Sequence, residues 1–165
     1  MPDAHSGYGL PIGGVLAVEN AVIPYGVGMD IGCRMSLSIL DTPISYLDGA
    51  KDKYEKALVE NTKFGMSEVH KSVFDHEIFD NETFNLIPIL KRLKGKAIKQ
   101  LGSSGGGNHF VEFGEVEITE EDQQIGLPKG KYLGILSHSG SRGLGAEIAQ
   151  YYSRVATEQC PLPKE

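Results

Sequence analysis

Residues 131–155 read KYLGILSHSGSRGLGAEIAQYYSRV, and they change from one kind of order to another around a single glycine turn. KYLGILSHS has the β-branched and aliphatic content of a short strand. Beyond the SGSRG turn, Leu144, Ile148, Tyr151, Tyr152 and Val155 recur at the spacing of one helical face. The spacing predicts a helix over 142–158, ended by Pro161 and Pro163, which cannot donate to the ladder. A strand feeding a helix through a glycine turn places the chain in a mixed class.

Working outward, NHFVEFGEV at 108–116 reads as a second strand, and GGVLAVE at 13–19 and CRMSLSIL at 33–40 as two more. PYGVGMDIGC, between those last two, is too rich in glycine for a helix. LDGAKDKYEKALVEN at 47–61 carries Leu47, Ala50, Tyr54, Ala57 and Leu58 at helical spacing. ITEEDQQIGLP reads as an exposed acidic loop, and there is no internal repeat. The expected fold is α+β, with mixed or antiparallel sheets carrying the glycine blocks at their ends and helices packed outside.

The chain has 165 residues, 40% hydrophobic and 23% charged, which suits one ordered domain, 1–165. Sixteen basic against 22 acidic residues give a net charge of −6, excluding nucleic-acid binding by bulk charge. A local basic patch is still allowed, and KRLKGKAIK at 91–99 is the one run able to steer a phosphate backbone. No apolar run reaches the roughly 18 residues of a membrane span. The opening MPDAHSGYG lacks the pattern of a secretory signal. With only Cys33 and Cys160, a disulfide scaffold is excluded and a cytoplasmic location expected.

Glycines cluster where polar, chemistry-bearing residues do. In GMDIGC, Asp30 and Cys33 are three apart, a hard oxygen donor beside a soft sulfur, suited to manganese, zinc or cobalt rather than calcium. The plainer alternative is a buried structural cysteine beside a turn-forming aspartate. In SSGGGNHFVEF, strand alternation puts Asn108, Phe110 and Glu112 on one face and His109 on the other. His109 can then hold a metal while the opposite face offers amide, ring and carboxylate to a purine; a hydrogen-bonded sheet histidine is the alternative. In SHSGSRGLG, Ser139, Ser141, Arg142 and the helix N-terminus offer a phosphate site, with His138 able to bind a metal beside it. Helix capping is the competing role for the serines. His5 joins Asp3 in another polar glycine cluster, whereas His70 and His76 lie in a charged stretch that favours surface positions. GSSGG at 102–106 fits the hydrolase elbow pattern around Ser104, but a strand follows where that motif needs a helix.

Taken together, these blocks resemble the RtcB family of RNA ligases. MPDAHSGYGLPIGG is similar to the family's opening, GVGMDIGC to its Asp-x-x-Cys metal motif, LGSSGGGNHFVEF to its GGGNH-F-x-E block and SHSGSRGLG to its H-x-GSRG-x-G block, all in family order. The resemblance implies a ligase of tRNA splicing and RNA repair that joins 3′-phosphate or 2′,3′-cyclic phosphate ends to 5′-hydroxyl ends with GTP and Mn²⁺. It implies that Asp30, Cys33 and His109 hold one manganese, that Cys33 and His138 share a second, and that Asn108, Phe110 and Glu112 surround GMP. His5, Ser139, Ser141 and Arg142 become candidates for phosphate or RNA.

Two departures accompany it. Arg34 stands where the family has glycine after the metal cysteine. The guanylylated histidine and another metal histidine of the family have no counterpart in these blocks, so the expectation is the N-terminal portion of a catalytic domain, truncated at both ends. The isolated chain is then expected to be inactive, and a non-catalytic metal- or nucleotide-binding fragment is the alternative function. RNA, such as tRNA halves or broken RNA, is the implied substrate, and the activator archease an implied partner.

Overall fold

The computed structural model describes residues 11, 14–23, 26, 31–71, 74–121 and 126–160. In chain order the elements are β1 (Arg34–Leu40), α1 (Ser45–Gly49), α2 (Lys51–Asn61), a single-turn 3-10 helix (Glu77–Asp80), α3 (Thr83–Leu86), α4 (Pro88–Gln100), β2 (Phe110–Ile118), β3 (Gly130–Ser139) and α5 (Arg142–Gln159). Helices and an antiparallel sheet make the class α+β, as expected. The chain divides into two compact units, Met1–Cys33 with Ser72–Leu101 and Ser141–Glu165, and Arg34–Lys71 with Gly102–Gly140.

The second unit is built on a sheet of order β1-β3-β2, antiparallel throughout. The most buried strand, β3, takes the centre, where both its neighbours satisfy its backbone, and Leu133 on it is 0% exposed. Gly134 is required by packing: a Cβ there would strike Val116 on β2 and Leu37 on β1. The helix expected over 47–61 is two, because Ala50 (φ −140°, ψ 34°) leaves helical geometry between α1 and α2. Its apolar residues Leu47, Ala50, Tyr54, Ala57 and Leu58 are nevertheless the half-buried ones, and Tyr54 meets Phe113 of β2 edge-on at 4.9 Å. The glycine loop before β2 is tied down by its backbone: Ser104 N–H donates to Lys63 O (2.9 Å) and Gly65 N–H to Gly105 O (2.6 Å).

In the first unit, α4 begins with Pro88, whose missing N–H costs nothing at a helix start. It buries Ile89, Leu93, Ala97 and Gln100 at helical spacing. Phe79, Phe84 and Ala97 form the core, with Leu90, Ile98, Leu101 and Leu144 packed on it. Opposite α4, α5 runs antiparallel: Gly143 N–H donates to Gln100 Oε1, while Lys96 and Arg92 successively reach Glu147. The helix expected over 142–158 is therefore present, with Gly145 and Ala149 buried and Leu144, Ile148 and Val155 of the expected face half-buried. Tyr151 and Tyr152, expected on that face, are 38% and 51% exposed.

The strand expected at 13–19 is not formed over its described residues, 14–19, where Val15 is 90% exposed. Its apolar composition fits a strand, but a strand needs a partner ladder, and the described residues 14–19 make none.

Candidate functional site

His138 sits near the end of the central strand, where antiparallel register places Phe110 of β2 and Met35 of β1 opposite it. It is buried, at 7% exposure. Phe110 presents its ring edge-on to the imidazole, centroids 5.4 Å apart at 88°. His109 does the same from the other ring, at 5.5 Å and 77°. Each histidine offers one ring nitrogen, and these lie within 4.8 Å of one another.

The alternation that assigns His109 and Phe110 to opposite faces is corrected here, since both rings reach His138. The strand starts only at Phe110, after Gly102, Gly105 and Gly107 have passed through left-handed backbone (φ 77°, 111° and 71°). His109 thus belongs to the turn, where a side chain is not bound to a strand face. Of the other residues expected around a nucleotide, Asn108 and Glu112 are exposed and Phe110 is half-buried.

Beside the histidines, Ser139 Oγ donates to Ser104 Oγ (3.3 Å), and Gly140 N–H donates to Ser104 O (3.2 Å). Ser104 is 5% exposed and leads into a strand, which removes the nucleophile-elbow reading. Its structural role is one that sequence reasoning missed: it clamps the start of the SGSRG turn.

In the first unit, Ser141 Oγ accepts from Gly32 N–H at 2.8 Å, fixing the backbone next to Cys33. It makes no capping bond to α5, so the capping role is not the one it takes. Gln100 supplies that function from α4, by accepting the Gly143 N–H at 2.9 Å. One of the amides expected to serve phosphate is thereby occupied. Arg142 adopts left-handed backbone (φ 51°), a cost of order 1 kcal/mol that native proteins keep mainly where a site needs it. Burial lowers the pKa of its guanidinium, which stays charged all the same.

Cys33 is half-buried and is the residue immediately before β1. Asp30 and His5 lie outside the described residues. His70 and His76 take other roles, His70 with its Nε2 3.0 Å from Gly102 O and His76 with Nδ1 accepting from Ile78 N–H.

Two imidazole nitrogens converging at a buried strand end suit a borderline transition metal rather than calcium or magnesium. Among the described residues no helix is long and apolar enough to cross a membrane.

The profile of the family described as tRNA-splicing ligase RtcB matches residues 1–87 and 86–164. The chain is 32% identical to a tRNA-splicing ligase RtcB of Nanoarchaeum equitans, over 94% of the chain and 40% of that protein. It is 33% identical to the namesake in Aeropyrum pernix, over 92% of the chain and 39% of that protein. With an RNA-splicing ligase RtcB homolog 1 of Entamoeba dispar it shares 30% identity, over 92% of the chain and 35% of the relative. The chain thus spans about two fifths of the length of the curated relatives it matches.

Proposed function

Since the chain belongs to the RtcB family, we propose that it carries the metal- and nucleotide-binding part of a GTP- and Mn²⁺-dependent RNA ligase. The ligase joins 3′-phosphate or 2′,3′-cyclic phosphate ends of RNA, such as tRNA halves, to 5′-hydroxyl ends. The observation that carries this reading is the convergence of His109 and His138 at the buried end of β3.

On this reading His109 and His138 would hold manganese through ring nitrogens and Cys33 through its thiolate. Asp30 adds a carboxylate. Manganese held there would supply positive charge against the charge that develops on phosphate oxygens. Phe110 and Glu112 serve the nucleotide, Phe110 by ring contact and Glu112 as an acceptor for base N–H groups; Asn108 adds an amide. Ser139, Ser141, Arg142 and His5 bear on phosphate or RNA. The covalent step belongs to a histidine outside the motifs matched here: its nitrogen attacks the α-phosphorus of GTP, and pyrophosphate leaves. GMP then passes to the RNA 3′-phosphate, and the 5′-hydroxyl displaces it. Archease as partner and a cytoplasmic setting belong to the same proposal.

The test is calorimetric titration of the chain with Mn²⁺ beside its Cys33→Ala and His138→Ala variants. Saturable binding in the wild type and its loss in both variants is the expected result. Equal behaviour of the three proteins, all folded by circular dichroism, would remove these side chains from any metal site. Adding the remainder of a relative, with labelled GTP, then reads covalent guanylylation directly.

A further inference from the structure

The tyrosines displaced from the buried face of α5 lie beside a groove of about 300 Å³ lined by Ile87, Pro88, Ile89, Arg92, Tyr151 and Tyr152. Tyr151 and Tyr152 stand edge-on to each other, centroids 5.0 Å apart at 89°. The Arg154 guanidinium lies over the Tyr151 ring at 5.6 Å. Among the described residues no carboxylate lines the groove. The acid beside it on α5, Glu147, is already held by Arg92 and Lys96.

We propose that this groove is a stacking site for an unpaired nucleotide of single-stranded RNA, whose phosphates follow the cationic seam of α4 and α5. Two exposed aromatic rings attended by two guanidinium groups are what unstacked bases and their phosphates need: a π-face, a cation above it and a fork for phosphate oxygens. The volume lies at the lower limit of small-molecule sites, enough for one nucleoside and too little for the several anchors of a docked helix. The charge agrees. α4 carries Lys91, Arg92, Lys94, Lys96 and Lys99 and no acidic residue, in a chain whose net charge is −6.

The seam also has a direction. From Tyr151 and Tyr152 it runs past Arg92 and Lys96 to Gly143 and Arg142 at the start of α5. Nine residues of helix separate Arg142 from Tyr151, about 14 Å. A strand with its end at the SGSRG turn can therefore lay a nearby unpaired base on the tyrosines. The proposal rests on the ligase reading only for the identity of the strand as RNA.

Fluorescence anisotropy of the full chain with a short unstructured RNA tests it, using Tyr152→Ala, Tyr152→Phe and Arg154→Ala. Loss of the ring should weaken binding about tenfold, and phenylalanine, which keeps the π-face, should restore it. The same RNA carrying abasic positions should bind wild type and Tyr152→Ala alike, because only phosphates remain to be held. Arg154→Ala should reduce the salt slope by about 0.7, as expected for one lost phosphate contact on a single strand.

No RNA binding by the folded chain, or equal affinity of wild type and Tyr152→Ala for intact RNA, would overturn the proposal. So would self-association by sedimentation that Tyr152→Ala abolishes, since a second copy would then fill the groove. The Mn²⁺ titration decides the parent reading separately, because none of these three substitutions touches the histidines. RNA stacking without metal binding would leave this site standing and remove the ligase chemistry.

Discussion

His109 and His138 approach edge to face, with centroids 5.5 Å apart and a 77° angle between the rings. His109 comes from the turn before β2, His138 from the central strand, and the two rings converge only because the glycine turn releases His109 from strand alternation. A metal held there depends on both nitrogens. Alanine at either position is expected to lower Co²⁺ affinity by more than about tenfold, beyond what loss of an outer-sphere partner costs. Phe110→Ala, which removes the ring packed on His138, should produce a smaller loss. Absorbance titration with Co²⁺ reads all three.

Leu133 should carry much of the second unit's stability. It is 0% exposed at the centre of the sheet, so alanine there removes apolar burial and leaves a cavity against the sheet face. The expected cost is about 2–5 kcal/mol, read as a lowered urea midpoint.

Much of this was legible in local sequence, and the exceptions have identifiable causes. Helix α5 and strands β1, β2 and β3 fall within two residues of their expected starts and ends, because periodicity and glycine or proline boundaries are local signals. The stretch at 13–19 has strand composition, but its described residues 14–19 find no partner ladder, and pairing is a property of the whole sheet. Tyr151 and Tyr152 satisfy the helical spacing yet stay exposed, because they lie level with Pro88 at the start of α4, whereas Leu144 of the same expected face packs on the core. Helical spacing names a face of α5, but not how far along that face the neighbouring helix extends. Of the candidate site, His109 and His138 come together, and Phe110, which strand alternation sets on the face opposite His109, meets the same His138 ring. The hydrogen-bonding roles of Ser104 and Gln100 were missed, since serine and glutamine carry no such pattern until the strand or helix they bond to is in place.

Two glycines should respond to alanine with opposite sign. Gly95 is exposed inside α4, and a methyl group added there would meet nothing within 4 Å, so Gly95→Ala should stabilise by about 0.5–1 kcal/mol. Gly134 faces Val116 and Leu37, and Gly134→Ala should destabilise by about 1–3 kcal/mol through forced displacement. Paired thermal melts would show one midpoint rising and the other falling.

Gln100 holds the Gly143 N–H from a buried position, 6% exposed. Gln100→Leu keeps the bulk and removes the acceptor, leaving that amide unsatisfied. A loss of about 1–3 kcal/mol is expected, with Gln100→Glu recovering part of it because a carboxylate also accepts. If Gln100→Leu melts with the wild type, another acceptor reaches Gly143.

The last prediction concerns acid. Glu147 accepts from Lys96 Nζ at 2.6 Å and from Arg92 Nη1 at 3.3 Å, and the Lys96 hydrogen bond foremost holds its carboxyl below the ordinary value of 4.5. A carboxylate whose pKa falls on folding binds fewer protons in the native state, so its contribution is present above the unfolded value. That contribution is lost as pH falls through the folded value. Both cations are well exposed, at 64% and 47%, so the pair should contribute only about 0–1 kcal/mol and less in high salt. Glu147→Gln keeps the side-chain shape and discards the titration. Its melting temperature should lie below that of the wild type at neutral pH, and the two should converge as pH falls below the ordinary carboxylate range. A gap that persists in acid would mean that the Glu147 side chain acts through packing, and that its charge does not couple α4 to α5.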